Sequence, residues 1–316
     1  MKIFVSRLLP TDSLELLGES GWTIDMYHRD ARCPRDELLR RVRDCDAIMA
    51  QVTDRIDREV FLAAPELKVI ACCGLGYDNI DLEAARTHDV VVCNAPAPEL
   101  VATTAEAAVA LLLGVAKRIT RLHLGQQQDS LPPYSFVEPM GMPVRERTCG
   151  IVGAGRVGSA IARIMYRGFD NSIQYFNRSA KPEIEKTLRA RRLSLNELLT
   201  ASDFVFVTVP LTRDTRSMIR AKELGLLRRD AILINIARAG IVDDAALVER
   251  LVANKIFGAG LDVYEPVAAS HAIPNLVLTA HMANGETAAS AAVVKLAVRN
   301  VAAVLSGRAA ISPVSH

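Results

Sequence analysis

The chain alternates short apolar runs with segments whose apolar residues recur every three or four positions. Ile3–Val5, Thr23–Met26, Ala47–Val52, Leu67–Ala71 and Val90–Cys93 read as strands. Thr11–Leu17, Pro34–Cys45, Arg58–Ala64 and Asp81–Thr87 read as the helices between them, with Leu38, Leu39 and Val42 on one face of the second. Strands interleaved with helices predict a parallel, doubly wound sheet. Asn94-Ala95-Pro96-Ala97-Pro98 is strong punctuation and predicts a domain boundary at 97/98. A long apolar helix over Thr103–Arg121 follows, then a polar, irregular stretch over Gln126–Arg147.

A second alternating series begins at Cys149. Ile173–Phe176, Phe204–Val209, Ala231–Ile236, Gly258–Asp262 and Leu276–Thr279 read as strands, with helices over Leu195–Ala201 and Asp244–Ala253. Gly285–Gly307 is one long apolar helix with no strand after it. It needs a surface to cover, and the first domain is the natural one. The fold class expected is α/β with two doubly wound parallel-sheet domains. Residues 1–97 with 286–316 form one domain, and 98–285 are inserted into it.

Cys149–Ala162 holds a G-x-G-x-x-G at Gly153, Gly155 and Gly158, between an apolar strand end and a helix with Val157, Ile161, Ile164 and Met165 at helical spacing. In that setting the glycines suit a dinucleotide. Gly153 allows a tight turn, Gly155 lets backbone approach a pyrophosphate, and Gly158 lets helix and strand pack closely. The helix N-terminus at Arg156 and Val157 adds free N–H groups and partial positive charge. NAD sites place an acid after the next strand for the ribose 2′-OH. Here the segment is Asn177-Arg178-Ser179. Without the acid, and with an arginine, it suits a 2′-phosphate, so NADP(H) is preferred and NAD(H) remains possible.

Three later strand ends carry reactive groups: Asn235-Ile236-Ala237-Arg238-Ala239-Gly240, Leu261-Asp262-Val263-Tyr264-Glu265-Pro266 and Thr279-Ala280-His281. An arginine there can grip a carboxylate, and a histidine beside a carboxylate can transfer a proton near neutral pH. Taken singly, an arginine such as Arg238 is more often an ion-pair partner and a histidine such as His281 more often structural.

The order of these motifs closely resembles the D-isomer-specific 2-hydroxyacid dehydrogenases, the family of glyoxylate/hydroxypyruvate reductases. Cys73-Gly74-Leu75-Gly76-Tyr77-Asp78-Asn79-Ile80-Asp81, Thr104-Ala105-Glu106 and Val209-Pro210-Leu211-Thr212 through Thr215 also match. The resemblance implies a Rossmann NAD(P)-binding domain inserted into a flavodoxin-like substrate domain. It implies His281 as general acid/base, Glu265 as its partner, and Arg238 on the 2-oxo oxygen and carboxylate. Substrate would meet Cys73, Gly74, Leu75 and Gly76 as well as Arg238 and His281. Cofactor contacts would fall at Gly153, Gly155, Arg156, Val157, Gly158, Asn177, Arg178, Ser179, Val209, Pro210, Thr215, Thr104, Ala237 and Asp262, with Asp262 toward the nicotinamide carboxamide. The reaction implied is reduction of a small 2-keto acid to the D-2-hydroxy acid by NADPH. A dinucleotide-sensing protein without catalysis, or an enzyme of another 2-hydroxy acid or of phosphite, would share the fold. The sequence departs from the family pattern in places. Glu265-Pro266 follows Tyr264 two residues early, Ala280 stands where proline is common, and Ala239 where glycine is common.

Composition narrows the partners. Of 316 residues half are hydrophobic and 23% charged, and the net charge is +2 with both signs mixed. That profile gives no case for nucleic acid or membrane. The longest apolar run, Ala107–Ala116, is short for a bilayer span. The six cysteines form no C-x-x-C and no zinc spacing, which suits reduced thiols in the cytoplasm and no metal. A homodimer is the family expectation, with the 103–121 helix as a candidate interface.

Overall fold

The computed structural model describes residues 1–9, 14, 17–18, 21–131, 136–137, 140–269 and 273–314. The predicted helix over Thr11–Leu17 lies mostly outside them. The chain divides into two compact units, residues 1–100 with 285–316, and residues 101–284.

The first unit is a five-stranded sheet in the order β2-β1-β3-β4-β5, every pairing parallel. Its strands are β1 (Lys2–Val5), β2 (Thr23–Met26), β3 (Ala47–Ala50), β4 (Val69–Cys72) and β5 (Val91–Cys93). Side chains alternate across it, so each strand feeds two cores. Phe4, Ile48, Ile70 and Val92 pack under helices α1 (Arg35–Arg41), α2 (Arg58–Ala63) and α3 (Leu82–Thr87). Ile3, Met49, Val69 and Ala71 face the other way, onto the last helix of the chain. That helix buries Val293, Val294, Val298, Val301 and Leu305 there, each contributing roughly 1.5–3 kcal/mol. The helix without a following strand therefore completes the sheet formed by the N-terminus.

The second unit begins within α4 (Pro98–Ala116), followed by α5 (Ile119–Gln127). The single helix expected over Thr103–Arg121 is thus two. Arg118 breaks it with a left-handed backbone, φ 57°. Its guanidinium stacks on the Phe257 ring at 3.9 Å and its Nη1 donates to Phe257 O at 3.4 Å. A contact 139 residues away overrides local helix preference.

The seven-stranded sheet runs β12-β11-β10-β9-β6-β7-β8, again all parallel. In chain order it contains β6 (Thr148–Val152), α6 (Arg156–Phe169), β7 (Ser172–Phe176), α7 (Pro182–Leu188), β8 (Arg191–Arg192), α8 (Leu195–Ala201) and β9 (Phe204–Val207). After them come α9 (Ala221–Leu224), β10 (Ile232–Asn235), α10 (Asp244–Val252), β11 (Gly258–Leu261), α11 (Pro266–Ala269) and β12 (Leu276–Leu278), and α12 (Thr287–Leu305) returns to the first unit. Phe204, Phe206, Ile232 and Ile234 pack against α4 and α6, while Val205, Val207 and Leu233 pack against α8 and α10. From β6 the sheet grows one way through β7 and the other way through β9. That reversal is the point where open α/β sheets hold ligands, beyond the strand carboxyl ends.

α4 and α12 are each 19 residues long and apolar enough by composition to cross a membrane. The short run Ala107–Ala116 therefore understated the apolar length of α4. Packing accounts for part of that apolarity, because one face of α4 lies in the core of the second unit and one face of α12 in that of the first. All six cysteines are free and buried. Burial pushes the Cys45 and Cys73 thiols up to about 12, so Cys73 is no nucleophile near neutral pH.

Candidate active site

The glycine turn follows β6 at the sheet's reversal. Gly153 has φ +103°, and a Cβ there would lie 2.8 Å from the Val209 backbone nitrogen. A Cβ on Gly158 would collide with Gly153 O and the Thr208 hydroxyl. Thr208 Oγ1 donates to Gly153 O at 2.6 Å, stitching the β9 end to the turn. Gly155 differs. Its φ of −77° suits any residue and nothing lies within 4 Å of a Cβ built on it. The space over Gly155 and the first turn of α6, which has no side-chain cap, are what a pyrophosphate requires. The residues fit a dinucleotide. Arg156 is exposed and Val157 half-buried at the start of that helix.

After β7, Asn177 Nδ2 donates to Ser179 O at 3.0 Å and approaches Ser179 Oγ at 3.4 Å, closing a turn with Arg178 and Ser179 exposed. After β9, Thr215 Oγ1 donates to Pro210 O at 2.6 Å and accepts from Thr212 N at 2.8 Å. Thr215 thus shapes its own loop. Val209 and Ala237 are buried, and Thr104 is half-buried on α4.

Arg238, Glu265 and His281 follow the carboxyl ends of β10, β11 and β12, three adjacent strands. At about 4.8 Å per strand, these ends span roughly 10 Å. Each loop is tied down by a carboxylate or amide. Asn235, fully buried, accepts from Ala237 N at 3.1 Å and donates to Arg238 O at 3.2 Å. Arg238 Nη1 donates to Ala237 O at 2.8 Å.

The His281 loop hangs on Asp262. Its Oδ1 accepts from Thr279 Oγ1 at 2.6 Å and Met282 N at 2.8 Å, its Oδ2 from Ala283 N at 3.1 Å, and its backbone carbonyl from His281 N at 2.9 Å. His281 itself is exposed with a left-handed backbone, φ 55°. That conformation is uncommon for a residue other than glycine and is held in place by its surroundings. Asp262 is 1% exposed. Its carboxylate is turned onto the histidine loop.

Glu265 is held by its backbone, with N donating to Asp244 Oδ2 at 2.6 Å. Its exposed carboxylate approaches Gly240, where Oε1 would be 3.8 Å from a Cβ. The shortened segment leads directly from Glu265 into α11. Asp244, 2% exposed, has its carboxyl pushed up to about 6, chiefly by burial and then by the negative charges of Glu265 and Asp243 against the pull of the Glu265 N–H. Thr208 and Asp244 escaped the sequence reading. Thr208 adjoins the Val209-Pro210 motif and Asp244 lies four residues beyond Gly240, the only signals that could have drawn attention to them.

In the first unit, the 73–76 loop follows β4. Cys73 N donates to Ala50 O at 2.8 Å and Gly74 N to Cys72 O at 2.9 Å. A Cβ on Gly74 would strike Val52. Asn94 Nδ2 donates to Leu75 O at 2.8 Å, which turns the Gly76 N–H the opposite way across their shared peptide plane. No His/Cys/Asp/Glu group among the described residues could hold a metal.

Residues 109–283 match the family model described as D-isomer specific 2-hydroxyacid dehydrogenase, NAD binding domain. The chain is 39% identical to the glyoxylate reductase of Thermococcus kodakarensis, over 97% of this chain and 93% of the relative. It is 37% identical to that of Pyrococcus furiosus over the same shares. A Thermus thermophilus crystal structure superposes with a TM-score of 0.92 at 38% identity, over 100% of each chain. The NADPH-dependent glyoxylate/hydroxypyruvate reductase of Sinorhizobium meliloti, in complex with NADP and malonate, does so at 0.82 and 30% identity, over 99% of this chain and 96% of that one. The chain belongs to the D-isomer-specific 2-hydroxyacid dehydrogenase family. It is a 2-hydroxyacid dehydrogenase with a nicotinamide-dinucleotide-binding domain.

Proposed function

We propose that the enzyme reduces glyoxylate or hydroxypyruvate to the D-2-hydroxy acid, with NADPH preferred over NADH and His281 as general acid. The observation that carries the chemistry is the Asp262 clamp, which holds a strained histidine at a strand end two strands from Arg238. The relatives named above as glyoxylate reductases support the substrate class. The acid-free Asn177-Arg178-Ser179 turn supports the 2′-phosphate.

When bound, the dihydronicotinamide supplies the hydride. Arg238, with its loop fixed by Asn235, grips the substrate's carboxylate and keto oxygen and stabilises the charge that develops on that oxygen. His281 donates its ring proton to the same oxygen, and Asp262 holds the loop that carries it. Glu265 is the proposed partner of His281. The Cys73–Gly76 loop, a homodimer and a cytoplasmic location belong to the same proposal.

Oxidation of NADPH and NADH with a panel of 2-keto acids tests it. Glyoxylate and hydroxypyruvate are expected to lead, with kcat/KM higher for NADPH. Equal or better use of NADH removes the cofactor preference, and nucleotide binding without turnover removes the enzyme. A pH profile of kcat/KM unchanged in Glu265→Gln removes Glu265 from its role.

A further inference from the structure

We propose that Arg192, on the sheet edge, is a specificity-determining positioning residue: it fixes the 177–179 turn in the form that selects a 2′-phosphorylated nucleotide. The inference rests on the NADPH reading above and deepens it.

β8 is two residues long and pairs with β7 in the register Gln174↔Arg191 and Tyr175↔Arg192. From there the Arg192 side chain reaches forward along the sheet. Its Nε donates to Asn177 O at 3.2 Å, and its Nη2 donates to Asn177 O at 3.0 Å and Arg178 O at 2.7 Å. One rigid guanidinium thus holds two successive carbonyls. In a trans peptide the N–H points opposite to the C=O. With the carbonyls of Asn177 and Arg178 drawn to Arg192, the N–H groups of Arg178 and Ser179 face the other side. Neither N–H has a hydrogen-bond partner among the described residues. The cation on their carbonyls also polarises those amides into better donors. Asn177 Nδ2 closes the turn from within by its bond to Ser179 O. The result is two parallel N–H donors beside the Arg178 side chain, in a stretch with no acid from Asn177 to Lys181. That suits a phosphate, which takes several donors, more than a ribose hydroxyl.

A merely structural arginine on an exposed edge would contribute little and treat all nucleotides alike. Calorimetric binding of 2′,5′-ADP and 5′-AMP to the full chain separates the two roles without needing turnover. Wild type is expected to favour 2′,5′-ADP. Arg192→Ala is expected to lose about tenfold or more of that preference, as loss of charged hydrogen bonds would dictate, with 5′-AMP affinity and Tm little changed. Arg192→Lys is expected to recover part, because an ammonium keeps the charge without the fork. An unchanged preference in Arg192→Ala, equal weakening of both nucleotides, or full recovery by lysine overturns the positioning role. Arg192→Gln repeats the test should the alanine variant fail to fold. A wild type without preference overturns the NADPH reading itself and this inference with it. A wild-type preference that survives in the variants overturns only Arg192.

Discussion

The glycine turn and the histidine loop lie at ends of the same sheet and are built in opposite ways. The turn from Gly153 to Gly158 is shaped by missing side chains, two of its glycines standing where a Cβ would strike backbone. The loop from Thr279 to Ala283 is shaped by one added side chain, the Asp262 carboxylate, from the preceding strand end. A turn made by absence is local and writes itself as a short motif. A loop made by a distant carboxylate has no local signature, although it positions the residue assigned the proton transfer.

Substitutions can break this contrast. The largest effect is expected from His281→Ala, with kcat lower by about 10²–10⁴-fold from loss of general acid catalysis and dinucleotide affinity retained. Near-wild-type turnover would remove His281 from the chemistry. Next comes the pair Gly155→Val and Gly158→Ala. Gly155→Val is expected to fold with a Tm near wild type yet lose dinucleotide binding in calorimetry, because the added atoms enter open space. Gly158→Ala is expected to lose about 1–3 kcal/mol of stability through overpacking. The same outcome for both would erase the distinction between a glycine for approach and a glycine for packing.

Asp262→Asn sharpens the other side. The amide can still accept at one atom but presents N–H groups to the Ala283 N–H. The loss is expected to be about 1–3 kcal/mol, read as a fall in kcat larger than any change in KM. A change in KM for the cofactor alone would favour the carboxamide role instead.

The smallest effect concerns Asp244, whose carboxyl sits at about 6 in the folded protein against an ordinary 3.8. The folded state binds its proton more readily than the unfolded chain. Its contribution is therefore full below about pH 4 and lost as pH rises through about 6. Asp244→Asn is expected to gain Tm relative to wild type between pH 4 and 7.5. A gap constant with pH would show that the carboxyl titrates alike in both states.

Much was legible in the sequence because it depends on residues close together. Strand-and-helix alternation gave both parallel sheets, and the unplaced apolar segment at 285–307 found its sheet in the first unit. The Gly153–Gly158 turn and the strand-end residues Arg238, Glu265 and His281 were visible as motifs in order. Long-range contacts hid the rest: the break at Arg118 is made by Phe257, and β8 exists only beside β7.

The sequence by itself determined the fold class, the family and the reactive groups present, since period, glycine spacing and motif order are properties of the chain. Tertiary structure alone decided what holds those groups. Asp262 accepts hydrogen bonds from the histidine loop, the Glu265 carboxylate lies near Gly240, and Arg192 grips the turn after a neighbouring strand. These are hydrogen bonds and approaches between residues 14 to 25 positions apart. Only the sheet's packing sets such distances, so no local pattern along the chain encodes them.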